Sequence, residues 1–259
     1  MHWNIDPILL QIGPLKLHWY GLLFASGLLG GYNLAEWMFK KEGKDLKLIE
    51  PLFVYIIIGM VLGARLAHCF FYDFSYFSKH PIEILYVWQG GLASHGGFLG
   101  VIIALWLFSK KYNFSFAWLL SRGSIVAMFI ATFIRVGNFF NSEIVGKKTT
   151  TAFGVIFDRV DNFPRHPVVL YESLAYFTIF LILLYIYKKV SYQKFTNIAF
   201  GLVLILGFGV RVLLEQFKTT QSEFTTNTTL TMGQMLSIPF IILGAIILIY
   251  GLKNDNISN

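Results

Sequence analysis

Charge is scarce in this chain. Only 14% of its 259 residues are Asp, Glu, Lys or Arg, against about 25% in an ordinary soluble domain. The shortage argues against a soluble globular protein, and a 56% hydrophobic content excludes disorder, which needs low hydrophobicity. Cysteine is nearly absent. A single Cys69 excludes an intrachain disulfide framework, thiolate zinc clusters and CxxC redox chemistry. His2, His18, His68 and His80 fall in no metal-ligand spacing, so neither a metal nor a cofactor is expected. No internal repeat is visible, which weighs against a transporter of paired inverted halves. There is no low-complexity tract; residues 225–229 (TTNTT) read as a short polar loop. The opening MHWNIDPILLQIGP has no basic region and no small-residue cleavage site, so no removable signal peptide is expected.

What the chain has instead is long apolar runs. A spanning helix needs about 20 apolar residues, and windows of that kind lie near 19–38, 51–71, 92–108, 116–140, 168–187, 198–217 and 235–252. The expected fold is an all-α polytopic membrane protein of about seven transmembrane helices, forming a single integral membrane domain over 1–259. The net charge of +7 reads as membrane orientation rather than nucleic-acid binding. One side of the expected bilayer carries Lys16, Lys79, Lys218 and, in one long loop, Lys147, Lys148, Arg159 and Arg165. The other carries Lys40, Lys41, Lys44, Lys47, Lys110, Lys111, Lys188, Lys189, Lys194 and Lys253. Basic residues collect on the cytoplasmic side, which puts the N-terminus outside and the C-terminus in the cytoplasm.

Four arginines remain inside the spans or at their ends: Arg65, Arg122, Arg135 and Arg211. Arginine at mid-bilayer costs about 2.5 kcal/mol or more, so it persists where it is paired, hydrated or functional. Arg122, flanked by Ser121 and Gly123, reads as structural. Arg211 and Glu215 stand at i, i+4 within GFGVRVLLEQF, a spacing that lets them pair. They form either a buried structural ion pair or an anion-binding arginine oriented by Glu215. The densest polar constellation is IRVGNFFNSEIVG, 134–146. Arg135 and Asn138 share a helix face there and together offer a fork of donors suited to phosphate. Gly137 permits close approach of a backbone or a ligand, and Glu143 just beyond can bind a hydroxyl or steady an arginine.

A second cluster, WQGGLASHGGFLG at 88–100, sets Ser94 and His95 among glycine pairs. Gly-Gly pairs can break a membrane helix and free backbone N–H groups to line a polar cavity. Histidine is the side chain suited to proton transfer near neutrality. Three further segments are LHWYG (17–21), RHPVVLYES (165–173) and TMGQMLSIP (231–239). Taken singly, Tyr20 and Tyr171 read as interfacial aromatics, His166 as a loop or capping residue, and Glu172 as a first-turn carboxylate suited to the helix dipole. Cys69 reads as a small buried hydrophobe.

These segments, with GARL at 63–66 and in this order along nearly the whole chain, resemble the bacterial prolipoprotein diacylglyceryl transferase family. The resemblance implies transfer of the diacylglyceryl group of phosphatidylglycerol to the lipobox cysteine thiol of a prolipoprotein signal peptide, in the bacterial cytoplasmic (inner) membrane. Glycerol 1-phosphate would leave and a thioether remain. It implies catalytic roles for His95, Arg135, Arg211 and Glu143, and substrate binding by Tyr20, Asn138, Gly146 and Glu215. The partners implied are phosphatidylglycerol, the signal peptide and membrane lipid. Three places depart from the family pattern. Val168 and Val169 stand where Ser-Gln is usual, and Ser121 stands where an acidic residue often does. Beyond Glu215 the chain reads FKTTQSEF in place of an Arg-Glu-Pro-Asp-like run. Other classes fit less well. An anion transporter or channel would show a repeat or a continuous polar path. An intramembrane serine protease would need more around Ser94 than His95 beside it. A purely structural subunit leaves the clustered Arg, Asn, Glu and His unexplained.

Overall fold

The computed structural model describes residues 1–219 and 230–257; the TTNTT run at 225–229 lies outside the described residues. The chain opens with β1 (His2–Trp3) and a hairpin of β2 (Ile8–Ile12) and β3 (Leu15–His18). The hairpin turns at Gly13, whose φ of +58° suits glycine. There follow α1 (Trp19–Lys41), α2 (Ile49–Ala67), the one-turn α3 (Phe74–Phe77), α4 (Ser94–Lys111) and α5 (Phe116–Phe140). Strands β4 (Val155–Phe157) and β5 (Pro164–Arg165) precede α6 (Val168–Lys189), α7 (Tyr192–Glu215) and α8 (Met232–Ile257). Seven long helices therefore fall on the seven apolar windows. Among the described residues, five segments are long and apolar enough to cross a membrane: Leu46–Tyr72, Phe116–Phe140, Val168–Lys189, Tyr192–Glu215 and Gly233–Lys253. Helices α1 and α4 fall outside that set.

Two differences from the expectation have local causes. Helix α7 begins at Tyr192, not near 198, because the Ser191 hydroxyl accepts the Lys194 N–H at 3.2 Å and caps it. The fold is also not wholly helical. Strand β4 pairs in parallel with β1 and antiparallel with β5, in segments too short to be seen as apolar windows.

The chain divides into two compact units, residues 1–34 with 121–259, and residues 35–120. In the second unit α2 and α4 meet along glycines. A Cβ at Gly59 would lie 2.6 Å from the Gly100 carbonyl oxygen, and one at Gly100 would lie 3.0 Å from the Gly63 Cα. Helices in lipid associate through such close packing, since lipid tails are as apolar as the side chains. Gly90 and Gly91, at φ +87° and +69°, end the preceding loop so that α4 can start at Ser94. Arg65 is buried and locks that loop. Its guanidinium donates to the carbonyls of Ile84 (3.0 Å), Glu83 (2.6 Å) and Gly90 (2.6 Å), and lies over the Phe77 ring.

In the first unit Trp3, Phe139, Val155, Phe157 and Val169 form a core that fastens the small sheet to the ends of α5 and α6. Gly201 of α7 and Gly244 of α8 repeat the glycine contact, each Cβ position within 2.8 Å of the other's carbonyl oxygen. Arg159 ties the N-terminal segment to the end of α5 through Ile5 O (2.5 Å) and Phe140 O (2.7 Å). Arg122 is buried and bound by Ser121 Oγ (2.8 Å), Thr196 Oγ1 and the Tyr192 carbonyl (3.2 Å), consistent with a structural role. In the loop before α6 the Arg165 side chain grips Asp161 and donates to the Gly146 carbonyl at 3.0 Å.

Two outcomes follow for stability. Gly100→Val should cost about 1–3 kcal/mol by overpacking, read as a lower melting temperature in detergent; an unchanged value would deny the close approach. The hydrogen bond from Arg165 holds the Asp161 carboxyl below the usual carboxylate range. Its stabilisation is therefore present above the ordinary carboxylate pKa and lost as pH falls through the depressed value. Acidification should destabilise the wild type more than Asp161→Asn, and equal slopes in thermal melts would contradict this.

Candidate active site

The site in the first unit is built on the last turns of α5. Arg135 donates to Asn138 Oδ1 (3.3 Å), and Asn138 Nδ2 donates to Glu143 Oε2 (2.7 Å). Asn141 Nδ2 donates to the other Glu143 oxygen at 3.1 Å. The i, i+3 face read from the sequence is thus real, and Glu143 steadies asparagines rather than an arginine. Beyond the helix, Ser142 and Ile144 have φ of +55° and +53°. A β-branched residue there is strained, and such strain persists only where the surroundings over-determine it. Here Arg159 holds the Ser142 hydroxyl (2.9 Å) and Ile144 packs against the Trp3 core.

The centre of the cluster is Glu172, which is 0% exposed. Its Oε2 lies 2.9 Å from Arg135 Nε, and its Oε1 lies 2.6 Å from Lys218 Nζ. Neither oxygen receives a well-aligned hydrogen bond, so these are ion pairs by distance. Glu172 stands past the first turn of α6, and its partners are two cations rather than the helix dipole expected from the sequence. Lys218 also approaches Glu215 Oε2 at 3.7 Å. The strand-like contact of Lys218 with Gly146, and the bonds from Lys147 N–H to Phe217 O (2.8 Å) and from Thr219 Oγ1 to Val145 O (3.1 Å), bind the end of α7 to residues 145–147.

Among the described residues no ion pair links Arg211 to Glu215, which is one of the two readings of their i, i+4 spacing. Glu215 pairs with Lys218, and Gly233 packs against its carboxylate, with a Cβ position 2.5 Å from Glu215 Cδ. An arginine N-terminal to a glutamate is also the weaker order of such a pair. Arg211 Nε is buried without a hydrogen-bond partner among the described residues. Tyr176, one turn beyond Glu172, lies within electrostatic reach of Arg135 and Arg211.

Tyr20 belongs to the same unit. Its ring fills the space left by Gly137, where a Cβ would lie 2.8 Å from Tyr20 Cδ2, and its hydroxyl senses Glu143 and Arg135. Gly146 packs against the start of α6. Its N–H donates to the His166 carbonyl at 3.0 Å, and a Cβ there would meet Val168 Cγ2 at 2.6 Å. His166 itself stacks near Phe217. His95 lies in the other unit, exposed in the first turn of α4 beside the buried Gly96 and Gly97. Cys69 is buried.

From the sequence Glu172 reads as a first-turn carboxylate and Lys218 as a loop charge, and neither is placed in the candidate site. One signal was available for Glu172: a carboxylate inside the apolar run VVLYESLAYF must find a cation. For Lys218 there was none, because it reads as an ordinary loop charge.

Apolar helices of spanning length, with buried ion pairs among them, define a multi-pass membrane protein. Comparison with known proteins narrows this. The family model described as prolipoprotein diacylglyceryl transferase matches residues 7–250. A relative from Tolumonas auensis, named phosphatidylglycerol–prolipoprotein diacylglyceryl transferase, is 45% identical over 98% of this chain and 98% of its own. Relatives of the same name from Chloroherpeton thalassium and Bacteroides fragilis are 44% and 38% identical, covering 99% and 98% of this chain and 96% and 97% of theirs. The chain belongs to the prolipoprotein diacylglyceryl transferase family.

The two kinds of arginine predict different stability losses. Arg122→Met strands buried acceptors, at about 1–3 kcal/mol, and should lower the melting temperature in detergent. Arg211→Met removes a guanidinium whose buried Nε has no hydrogen-bond partner among the described residues, and should lower it much less. The reverse order would show Arg211 to be a structural pair.

Proposed function

We propose that this chain transfers the diacylglyceryl group of phosphatidylglycerol to the thiol of a prolipoprotein lipobox cysteine, the first step of lipoprotein maturation. It does so as one integral domain over 1–259 in the bacterial inner membrane. Seven spans run with the N-terminus outside and the C-terminus in the cytoplasm. Family membership over almost the full length supports the reaction. The observation that carries the site is Arg211, whose buried Nε has no hydrogen-bond partner among the described residues, while Arg135 is anchored by a carboxylate and both act on Tyr176.

The chemistry follows from charge. The thiolate sulfur attacks the glycerol carbon bearing the phosphate ester; an S–C bond forms and the C–O bond breaks. The electron pair goes to the departing oxygen, so the phosphate passes from one negative charge to two as glycerol 1-phosphate leaves. Cations placed on that phosphate stabilise the transition state more than the bound lipid. Arg135 and Arg211 take this role, in a water-poor setting that strengthens them. His95 accepts the thiol proton; a thiol reacts as its thiolate and has an ordinary pKa near 8.5. Its exposed place in the first turn of α4 supports this assignment. Asn138, Glu143 and Tyr20 offer polar groups to the headgroup glycerol. Gly146 keeps the Glu143 segment seated on α6, and Glu215 holds Lys218. The nucleophile comes from the substrate, so the buried Cys69 has no part.

Purified protein in detergent with phosphatidylglycerol and a lipobox peptide should yield the diacylglyceryl thioether, seen by mass. Its absence with folded protein contradicts the reading. Arg211→Ala should lower kcat about 10²–10³-fold, the scale of losing one transition-state donor. His95→Ala at full rate would remove the histidine as base.

A further inference from the structure

In the first unit Arg135, Lys218, Glu172 and Glu215 are linked by ion pairs, and Arg211 lies within electrostatic reach of Tyr176, one turn from Glu172. Glu172 and Glu215 share Arg135 and Lys218, and Arg211 is left over. Among the described residues Arg211 is the cation of this group with no carboxylate paired to it, and a phosphodiester supplies a single negative charge. Glu143, the next acidic group, is exposed and occupied by the amides of Asn138 and Asn141.

The way Glu172 holds Arg135 matters as much as the count. It meets Nε, at the inner edge of the guanidinium. Among the described residues the guanidinium otherwise makes the long 3.3 Å contact to Asn138 and a hydrogen bond with the Tyr176 side chain. A fork held by its stem presents its tips in one orientation, which is the geometry for bidentate phosphate. The second carboxylate oxygen holds Lys218, whose backbone neighbours are bonded to 145–147. One buried carboxylate thus fixes the arginine of α5, the end of α7 and the segment following Glu143.

Resting on the transferase reading, we propose that Glu172 is a positioning residue for Arg135, with Lys218 as the counter-cation that lets Glu172 stay ionised when buried. Glu172 touches no substrate. It aims the Arg135 tips at the phosphate as charge builds there, so its loss is felt in the transition state rather than in lipid binding.

The test uses full-length protein in detergent with phosphatidylglycerol and a lipobox peptide, reading kcat and the lipid KM separately. Glu172→Gln should lower kcat about 10²-fold, the scale of a catalytic group misplaced by 1 Å. The lipid KM should be unchanged or lower, because a net positive charge is added. Lys218→Arg keeps a cation on Glu172 and should hold the melting temperature closer to that of the wild type than Lys218→Met does; equal losses would contradict the counter-cation role. Glu172→Gln with Lys218→Met removes one charge of each sign and so restores the net charge of the cluster. That double variant should recover the melting temperature while kcat stays low. Recovery of kcat along with stability would show a purely structural role and overturn the proposal. So would wild-type kcat in Glu172→Gln, or a loss confined to KM. A wild type that forms no thioether would instead count against the transferase reading.

Discussion

A carboxylate sealed from water inside an apolar helix is the constraint on which this site turns. Removing an ion from water costs several kcal/mol even after relaxation, so Glu172 must be compensated by cations held close. Arg135 and Lys218 meet that need from two different parts of the chain. Much of the local architecture follows. Arg135 is fixed by its inner nitrogen, and the end of α7 is drawn onto the 145–147 segment. Glu215 turns to Lys218 and away from Arg211. Breaking such a pair from one side is far more costly than replacing both partners, so the cluster behaves as a unit.

The arginines within the helices divide by how completely they are satisfied. Arg65 and Arg122 spend their donors on carbonyls and hydroxyls and lie against aromatic rings. They close loops and join helices. Beyond its carboxylate Arg135 makes the long contact to Asn138 and a hydrogen bond with Tyr176, and the buried Arg211 Nε has no hydrogen-bond partner among the described residues. In a low-dielectric setting a buried donor without a hydrogen bond is a standing cost. Glycine works beside these charges. It lets helices touch at Gly59 and Gly100, and lets Tyr20 lie on Gly137 next to Arg135.

The seven helices were legible because apolar length is a strong signal, and 116–140 coincides with α5. The start of α7 was not, since Tyr192 to Asn197 lowers hydropathy while Ser191 still caps a helix. The short strands were hidden because β1 and β4 are remote in sequence and only two or three residues long. Within the site, spacing revealed what lies on one helix: Arg135, Asn138 and, just past the end, Glu143. It left two readings open at Arg211 and Glu215, where a lysine three residues on competes for the carboxylate. It was silent on Glu172 and Lys218, because pairs across helices leave no periodic trace.

The most direct measurement is a high-resolution structure of the protein with phosphatidylglycerol bound. The account predicts the lipid phosphate within hydrogen-bond distance, about 3 Å, of the Arg211 guanidinium and the terminal nitrogens of Arg135. Glu172 should still sit against Arg135 Nε and Lys218. A phosphate held away from Arg211, or Arg211 turned onto Glu215 with the lipid in place, would contradict it.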